Sequence, residues 1–388
     1  MNYNDFLNRN IKKLEPSGIR KFFDIANSMK DVISLSVGEP DFRTPWHIRQ
    51  AGIDSLEKGR TWYSPNKGFL KLRKSVTDYF YRRFGVNYDF ESEVIITVGG
   101  SESIDLCVRV LIENGDEVLI PQPSFVCYEP ITIMAGGTPV IIKTEEANKF
   151  KVTAEEIEKK ITNKTKLLIL PYPNNPTGSV MSREDLEMIA DVVKKHNLIV
   201  LSDEIYGELT YGKERHTTFS DIEGMKERSI IISGFSKSYA MTGWRLGFAL
   251  GPKEIINCMT KLHQFSIMSA PTVSQYAAIE ALNNGDEDIE SMKDQYDLRR
   301  RYIVDGFKNL GFSCAEPEGA FYAFPCIKST GLTSSEFCEK LLSQEKVAII
   351  PGTAFGKCAE GYVRVSYSYS ISHIKQALKR VERFVSNI

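Results

Sequence analysis

The stretch Ser233–Gly247, SGFSKSYAMTGWRLG, begins where the apolar run SIIIS (229–233) ends and leads into a second such run, RLGFAL (245–250). It holds a single lysine, Lys237, and a single arginine, Arg245, with small and hydroxyl residues around both. An amine placed directly after a buried strand is costly unless its neighbours use its charge. What Lys237 does therefore depends on what the rest of the chain brings beside it.

Working outward, short β-branched runs recur: EVIITV (93–98), EVLIP (117–121), PVII (139–142), LLIL (167–170) and LIVLS (198–202), then the two runs above. Helical patterns with start signals lie between several of them. Thr153 with Glu156, and Ser182 with Asp185, fit capping boxes. Continuous apolar strands alternating with helices predict an α/β fold with one large, mostly parallel seven-stranded sheet covered on both faces. After about residue 285 a charged amphipathic stretch (287–310) precedes strands in FYAFPCI, VAIIP and YVRVSYS, and the helix IKQALKRVERFV follows. The expected division is a large domain over 48–285 and a smaller α+β domain built from 1–47 and 286–388. The segment VISLSVGEPDF would join the smaller one.

Composition narrows the function classes. The 388 residues are 42% hydrophobic and 26% charged, ordinary values for a soluble globular chain with a sizeable core. Lys and Arg number 49 against 50 Asp and Glu, so no basic excess points to nucleic acid. The run Arg299-Arg300-Arg301 is expected to be a solvated helix face. Seven cysteines without a CxxC pair predict a reduced, cytoplasmic chain with no disulfide framework and no metal site. The opening MNYNDFLNRN is too polar for a signal peptide, and no apolar run reaches membrane-spanning length.

In open α/β sheets ligands sit beyond the carboxyl ends of the strands. The residues following each run are GGSES, PQPSFVCY, PYPNNPTG, DEIY and GFSKSYAMTGWRLG. GGSES (99–103) opens a helix through glycines, a setting suited to phosphate; read alone, it is equally a turn. Arg245 offers a cationic fork for the same phosphate and Ser236 a hydroxyl. Asp203 ends an apolar strand and either caps the next helix or meets a protonated ring nitrogen. Tyr206 and Asn175, the latter in the turn sequence NNPTG, are within sequence reach of a ring oxygen. An amine beside a phosphate cradle, a carboxylate and an aromatic face suggests Schiff-base chemistry on an aldehyde cofactor, pyridoxal 5'-phosphate.

At this point the chain resembles the class I/II aminotransferases, fold-type I pyridoxal-phosphate enzymes, and within them the prokaryotic aspartate and aromatic subgroup. The resemblance runs from SGIRKFFDIA and SVGEPDF through YSPNKG, TVGGSES, NNPTG, SDEIY, GFSKSYAMTGWRLG, PEGAFY and PGTAFG to VRVSYS. It implies that Lys237 is the covalent lysine and that Asp203 faces the ring nitrogen. Tyr206 and Asn175 would meet the ring oxygen, and Phe125 would stack on the ring. Gly100, Ser101, Ser236 and Arg245 would hold the phosphate. Tyr63 would reach the neighbouring subunit of a homodimer with shared active sites. Arg364, helped by the backbone of Gly38, would clamp the substrate carboxylate.

The implied reaction moves the amino group of an L-amino acid to a 2-oxo acid such as 2-oxoglutarate. Two departures stand out. Gly234 occupies a position where some members have serine, with Ser233 beside it, and no motif supplies a second arginine for a distal carboxylate. Ile19, Phe22 and Phe23 either line a side-chain pocket for bulky substrates or simply pack, so aromatic and acidic donors both stay open. A carbon–sulfur lyase on the same fold is the alternative reading. An aminotransferase-like sensor module is remote, because SVGEPDF begins near residue 36 and leaves no room for a preceding DNA-binding domain.

Overall fold

The computed structural model describes residues 1–16, 18–19, 29–212 and 214–388. Twelve strands occur among them. β1 is Ile33–Ser34, β2 Val94–Thr97, β3 Glu117–Gln122, β4 Thr138–Lys143, β5 Thr165–Leu170 and β6 Ile199–Asp203. β7 is Ser229–Gly234, β8 Gly247–Leu250, β9 Tyr322–Ala323, β10 Val347–Ala348, β11 Ile350–Pro351 and β12 Val363–Ser366.

Seven of these form one sheet in the order β2-β8-β7-β6-β5-β3-β4, with only β8 antiparallel to its neighbours. Each corresponds to an apolar run read from the sequence. Because side chains alternate across a strand, both faces must be covered. Leu168 and Leu170 of β5 pack on one side with Leu72, Phe80, Ile189 and Val193, whereas Leu167 and Ile169 pack on the other with Ile104 and Cys107. Helices Leu70–Phe84 and Arg183–Lys195 cover the first face, and Gly100–Leu111 and Lys253–Ser266 the second. Both expected capping boxes form, Thr153 with Glu156 and Ser182 with Asp185.

The run RLGFAL departs from expectation. Its strand starts only at Gly247, because Arg245 closes a short 3-10 turn, Thr242–Trp244, in the left-handed region at φ 50°. The chain is still reversing direction at Arg245, so Arg245 projects from a turn rather than from the sheet.

A third core lies beside the sheet. It joins Ile33, Tyr296, Phe307, Phe337, Val365 and Phe384. β1 pairs in parallel with β10, and β11, β12 and β9 form an antiparallel sheet. The segment after residue 29 thus pairs with the C-terminal third, where Leu35 N–H also donates to Ala348 O. Helices Asp286–Asn309 and Ile371–Val385 cover this core. The Arg299–Arg301 run is not simply a solvated face. Arg299 is buried, donates to Asp41 Oδ1 at 2.6 Å and lies over Phe42, while Arg301 stays exposed. A long helix with one buried and one exposed arginine ties the early segment to the C-terminal core.

One buried ion pair anchors the segment after β6. Glu208 accepts from Arg83 Nε at 2.8 Å and Nη2 at 2.6 Å, and from Tyr79 Oη at 2.5 Å. Removing one partner of such a pair leaves the other charge buried. Glu208→Ala should therefore lower stability by about 3 kcal/mol in urea unfolding. An unchanged midpoint would show that this pair does not anchor the segment.

Candidate active site

A cavity of about 530 Å³ opens beyond the carboxyl ends of the parallel strands. Its lining gathers Gly38, Gly100, Ser101, Phe125, Asn175, Asp203, Tyr206, Ser236, Lys237, Arg245 and Arg364. The structure therefore brings together eleven of the twelve residues named from the sequence. The exception is Tyr63, which is 78% exposed and does not line the cavity of its own chain. Phe22 and Phe23 lie outside the described residues; Ile19 lines the cavity.

Lys237 sits three residues past β7. Its Nζ donates to Gly38 O at 2.5 Å and lies 5.7 Å from the Tyr206 ring centre and 5.6 Å from that of Phe321. Burial, then the nearby Arg364, push this amine down to about 8, with Arg245 adding to the effect and Glu39 and Asp203 opposing it. An ordinary lysine is almost wholly protonated at neutral pH; this one gives up its proton far more readily.

Asp203 ends β6 with 6% exposure. Its Oδ2 accepts from Tyr128 Oη at 2.7 Å and its Oδ1 from Ile205 N–H at 3.2 Å. Burial pushes the carboxyl up to about 6, against the pull of those two donors. Tyr206, three residues further along the chain, shares a 2.8 Å hydrogen bond with Tyr322 Oη. No role for Tyr128 or Tyr322 is legible in the sequence. The spacing of Tyr128 three residues after Phe125, within PQPSFVCY, was the available signal; nothing local marks Tyr322 out beyond its place in PEGAFY.

Arg364, on β12, is 1% exposed. Nη1 donates to Asn175 Oδ1 at 3.0 Å and Nη2 to Ser36 O at 2.5 Å, and the guanidinium lies over the Tyr322 and Phe355 rings. Nε has no partner, and no carboxylate of the described residues pairs with this cation. A buried guanidinium held only by neutral acceptors and aromatic faces is matched to an incoming anion. Asn175 spends its oxygen on Arg364, which leaves its amide N–H groups as donors.

The other end of the cavity is built on close backbone approach. The helix Gly100–Leu111 starts after Gly99, which has φ 81° and no capping side chain. A Cβ on Gly99 would meet Arg245 Nη2 at 2.7 Å, and one on Gly247 would meet Gly100 N at 2.7 Å. Bare glycines let the Arg245 fork and the helix start lie side by side. The same packing explains Gly234: a Cβ there would meet Gly247 Cα at 2.9 Å, so serine does not fit without moving β8. Ser233 is not among the lining residues. Gly38 is likewise bare because any side chain would collide with the Tyr322 phenol.

These features fit pyridoxal 5'-phosphate: a cation and free helix-start amides at one end, a buried carboxylate and an amine in the middle, and an aromatic ring, Phe125, alongside. The chain belongs to the class I and II aminotransferase family, whose sequence profile, Aminotransferase class I and II, matches residues 30–381. It is an aminotransferase of α/β fold type I. It is 50% identical to the putative aminotransferase YugH of Bacillus subtilis, over 98% of each chain. It is 44% identical to an aspartate aminotransferase of Pyrococcus abyssi, over 95% of this chain and 96% of that one. The solved aromatic aminotransferase from Pyrococcus horikoshii superposes with a TM-score of 0.90 at 42% identity, over 94% of this chain and 99% of that one.

The raised Asp203 carboxyl has a consequence for stability. The folded chain holds this proton to about 6, the unfolded chain only to about 3.8. Between those values folding takes up a proton, so stability falls as pH rises, and the full penalty is present at neutral pH. In the ligand-free protein Asp203→Asn, which removes the titration but can accept from only one of Tyr128 Oη and Ile205 N–H, should gain about 1–3 kcal/mol relative to the parent on going from pH 4 to pH 7. That gain should shrink as pH falls through 6 toward 4. Denaturant melts across pH check this; a stability difference between variant and parent that stays constant from pH 4 to pH 7 would contradict it.

Proposed function

We propose that this aminotransferase uses pyridoxal 5'-phosphate bound in the cavity described above to move the amino group of an L-amino acid to a 2-oxo acid, 2-oxoglutarate being the expected acceptor. The single observation carrying this is Lys237, an amine held by the Gly38 carbonyl in the cavity that it shares with a buried carboxylate, Asp203, and a buried guanidinium, Arg364. The bound cofactor supplies an electron sink that eases loss of the substrate α-proton.

The chain's own residues do the rest. Asp203, oriented by Tyr128 and the Ile205 amide, would face the ring nitrogen and keep it protonated. Asn175 and Tyr206 would donate to the ring oxygen, and Phe125 would cover one face. The helix-start amides of Gly100 and Ser101, the Ser236 hydroxyl and the Arg245 fork hold the phosphate. Arg364, fixed by Asn175 and Ser36, takes the substrate α-carboxylate with the backbone N–H of Gly38. That orients the α-carbon toward the Lys237 amine. With its basicity lowered to about 8, this amine takes the α-proton and returns it near neutral pH.

The relatives' names divide between aspartate and aromatic substrates. Beyond Lys237, Arg245 and Arg364 no described lysine or arginine lines the cavity, and Ile19 and Val37 present apolar surface to it. These observations favour a bulky, aromatic side chain over a second carboxylate.

We also propose a homodimer in which Tyr63 completes the partner's phosphate site. Trp62, Tyr63, Phe265, Ile267 and Met268 are exposed on adjoining segments, where Asn66 Nδ2 donates to Met268 O at 2.8 Å. In this reading residues 48–285 form the cofactor-binding domain, 1–47 with 286–388 the smaller one, and the chain works in the cytoplasm.

The test is spectroscopic. Purified protein given pyridoxal 5'-phosphate should show a yellow absorbance band that single L-amino acids bleach without any acceptor, aromatic ones fastest. Lys237→Ala should lose turnover while still binding the cofactor. Arg364→Lys, which gives up the planar fork, should lower kcat/KM by about a hundredfold, mostly through KM. A protein that acquires no band overturns the cofactor reading, and fastest bleaching by aspartate overturns the side-chain reading.

A further inference from the structure

The amides that form the phosphate end of the cavity begin at a glycine, so Gly99 gives the helix no capping side chain. The cap comes instead from inside the helix. Glu102, in its first turn, accepts the Val98 N–H on Oε2 at 2.5 Å. Its other oxygen, Oε1, is 2.7 Å from Nδ1 of His263. His263 stands on helix Lys253–Ser266, is fully buried and therefore fixed in place. The adjacent Thr97 adds a second staple, with Oγ1 2.7 Å from Ser103 Oγ and donating to Gly99 O at 3.2 Å.

A carboxylate at this position has two possible uses of the helix start. It can take the upstream amide, or it can turn toward the amides that a phosphate would use, where two anions would compete for one positive end. The His263 contact decides between them. With Oε1 tied to a buried ring, Oε2 reaches only the Val98 amide. Neither the Gly100 nor the Ser101 N–H has a backbone acceptor among the described residues. Both stay available, and the Gly99 turn is held from below.

We propose that Glu102 and His263 are positioning residues for the phosphate of the cofactor: His263 fixes Glu102, and Glu102 fixes the Val98–Gly99 turn so that the Gly100 and Ser101 amides face the phosphate. Neither residue lines the cavity. The inference rests on the cofactor reading above.

The experiment measures the affinity of cofactor-free protein for pyridoxal 5'-phosphate and for pyridoxal, which lacks the phosphate, by quenching of tryptophan fluorescence. Glu102→Ala and His263→Ala should each weaken pyridoxal 5'-phosphate binding about tenfold, the cost of a lost cap, and leave pyridoxal within about twofold. Glu102→Gln, whose amide oxygen still accepts the Val98 N–H, should stay within about threefold of the parent. Equal losses for both ligands would mean general disruption and overturn the proposal, as would no loss for either. If His263→Ala fails to fold, the Glu102 pair decides alone, and equal affinities of Glu102→Ala and Glu102→Gln would overturn it. Failure of the parent protein to bind pyridoxal 5'-phosphate would instead refute the underlying cofactor reading.

Discussion

Arg364 sets the terms for the whole site. It is a guanidinium with almost no solvent contact, held by the Asn175 amide oxygen, the Ser36 carbonyl and two aromatic faces. Neutral acceptors keep it in place without cancelling its charge, so the positive field remains in the cavity. That field is one reason the Lys237 amine loses its proton more readily. It is also what an incoming carboxylate would answer. The acid in the same cavity, Asp203, experiences burial in the other sense and holds its proton longer. One enclosed volume thus moves an amine and an acid toward each other on the pH scale, the pattern expected where protons are exchanged.

Such a cavity needs walls that bring backbone close to backbone. The bare positions Gly99, Gly234 and Gly247 lie in contact where β7, β8 and the helix start meet. Arg245 reaches the cavity from a left-handed turn because the chain must reverse between the Lys237 segment and β8. The segment 203–208 is held as firmly. Asp203 meets Tyr128, Glu204 meets Ser202, Thr218 and His216, Tyr206 meets Tyr322, and Glu208 meets Arg83. Every polar side chain of this loop has a buried partner, which lowers the entropy lost when a ligand is bound.

Much of this was legible in the sequence because it is local. The apolar runs located all seven strands, the rule that sites follow strand ends pointed to Gly100, Ser101, Asn175, Asp203, Tyr206, Ser236, Lys237 and Arg245, and the family resemblance added Gly38, Phe125 and Arg364; all eleven line one cavity. What was not legible is what depends on distant pairing. Tyr128 and Tyr322 are hidden because their partners lie 75 and 116 residues away. Glu102 reads as an ordinary first-turn acid until His263, 161 residues on, is placed against it. Arg299 looked solvated because its partner Asp41 is 258 residues distant. The absence of serine at Gly234 looked like a gap in the phosphate site; it is a packing requirement set by Gly247.

Burial beside Arg364 and Arg245 makes Lys237 an unusually weak base. The direct test is competitive acetylation of the cofactor-free protein across pH, with the Lys237 peptide quantified by mass spectrometry. A labelling midpoint near 8 is expected, in contrast to the ordinary lysine value of 10.5. A midpoint at that ordinary value would contradict it, because the amine would then be in an environment no different from water.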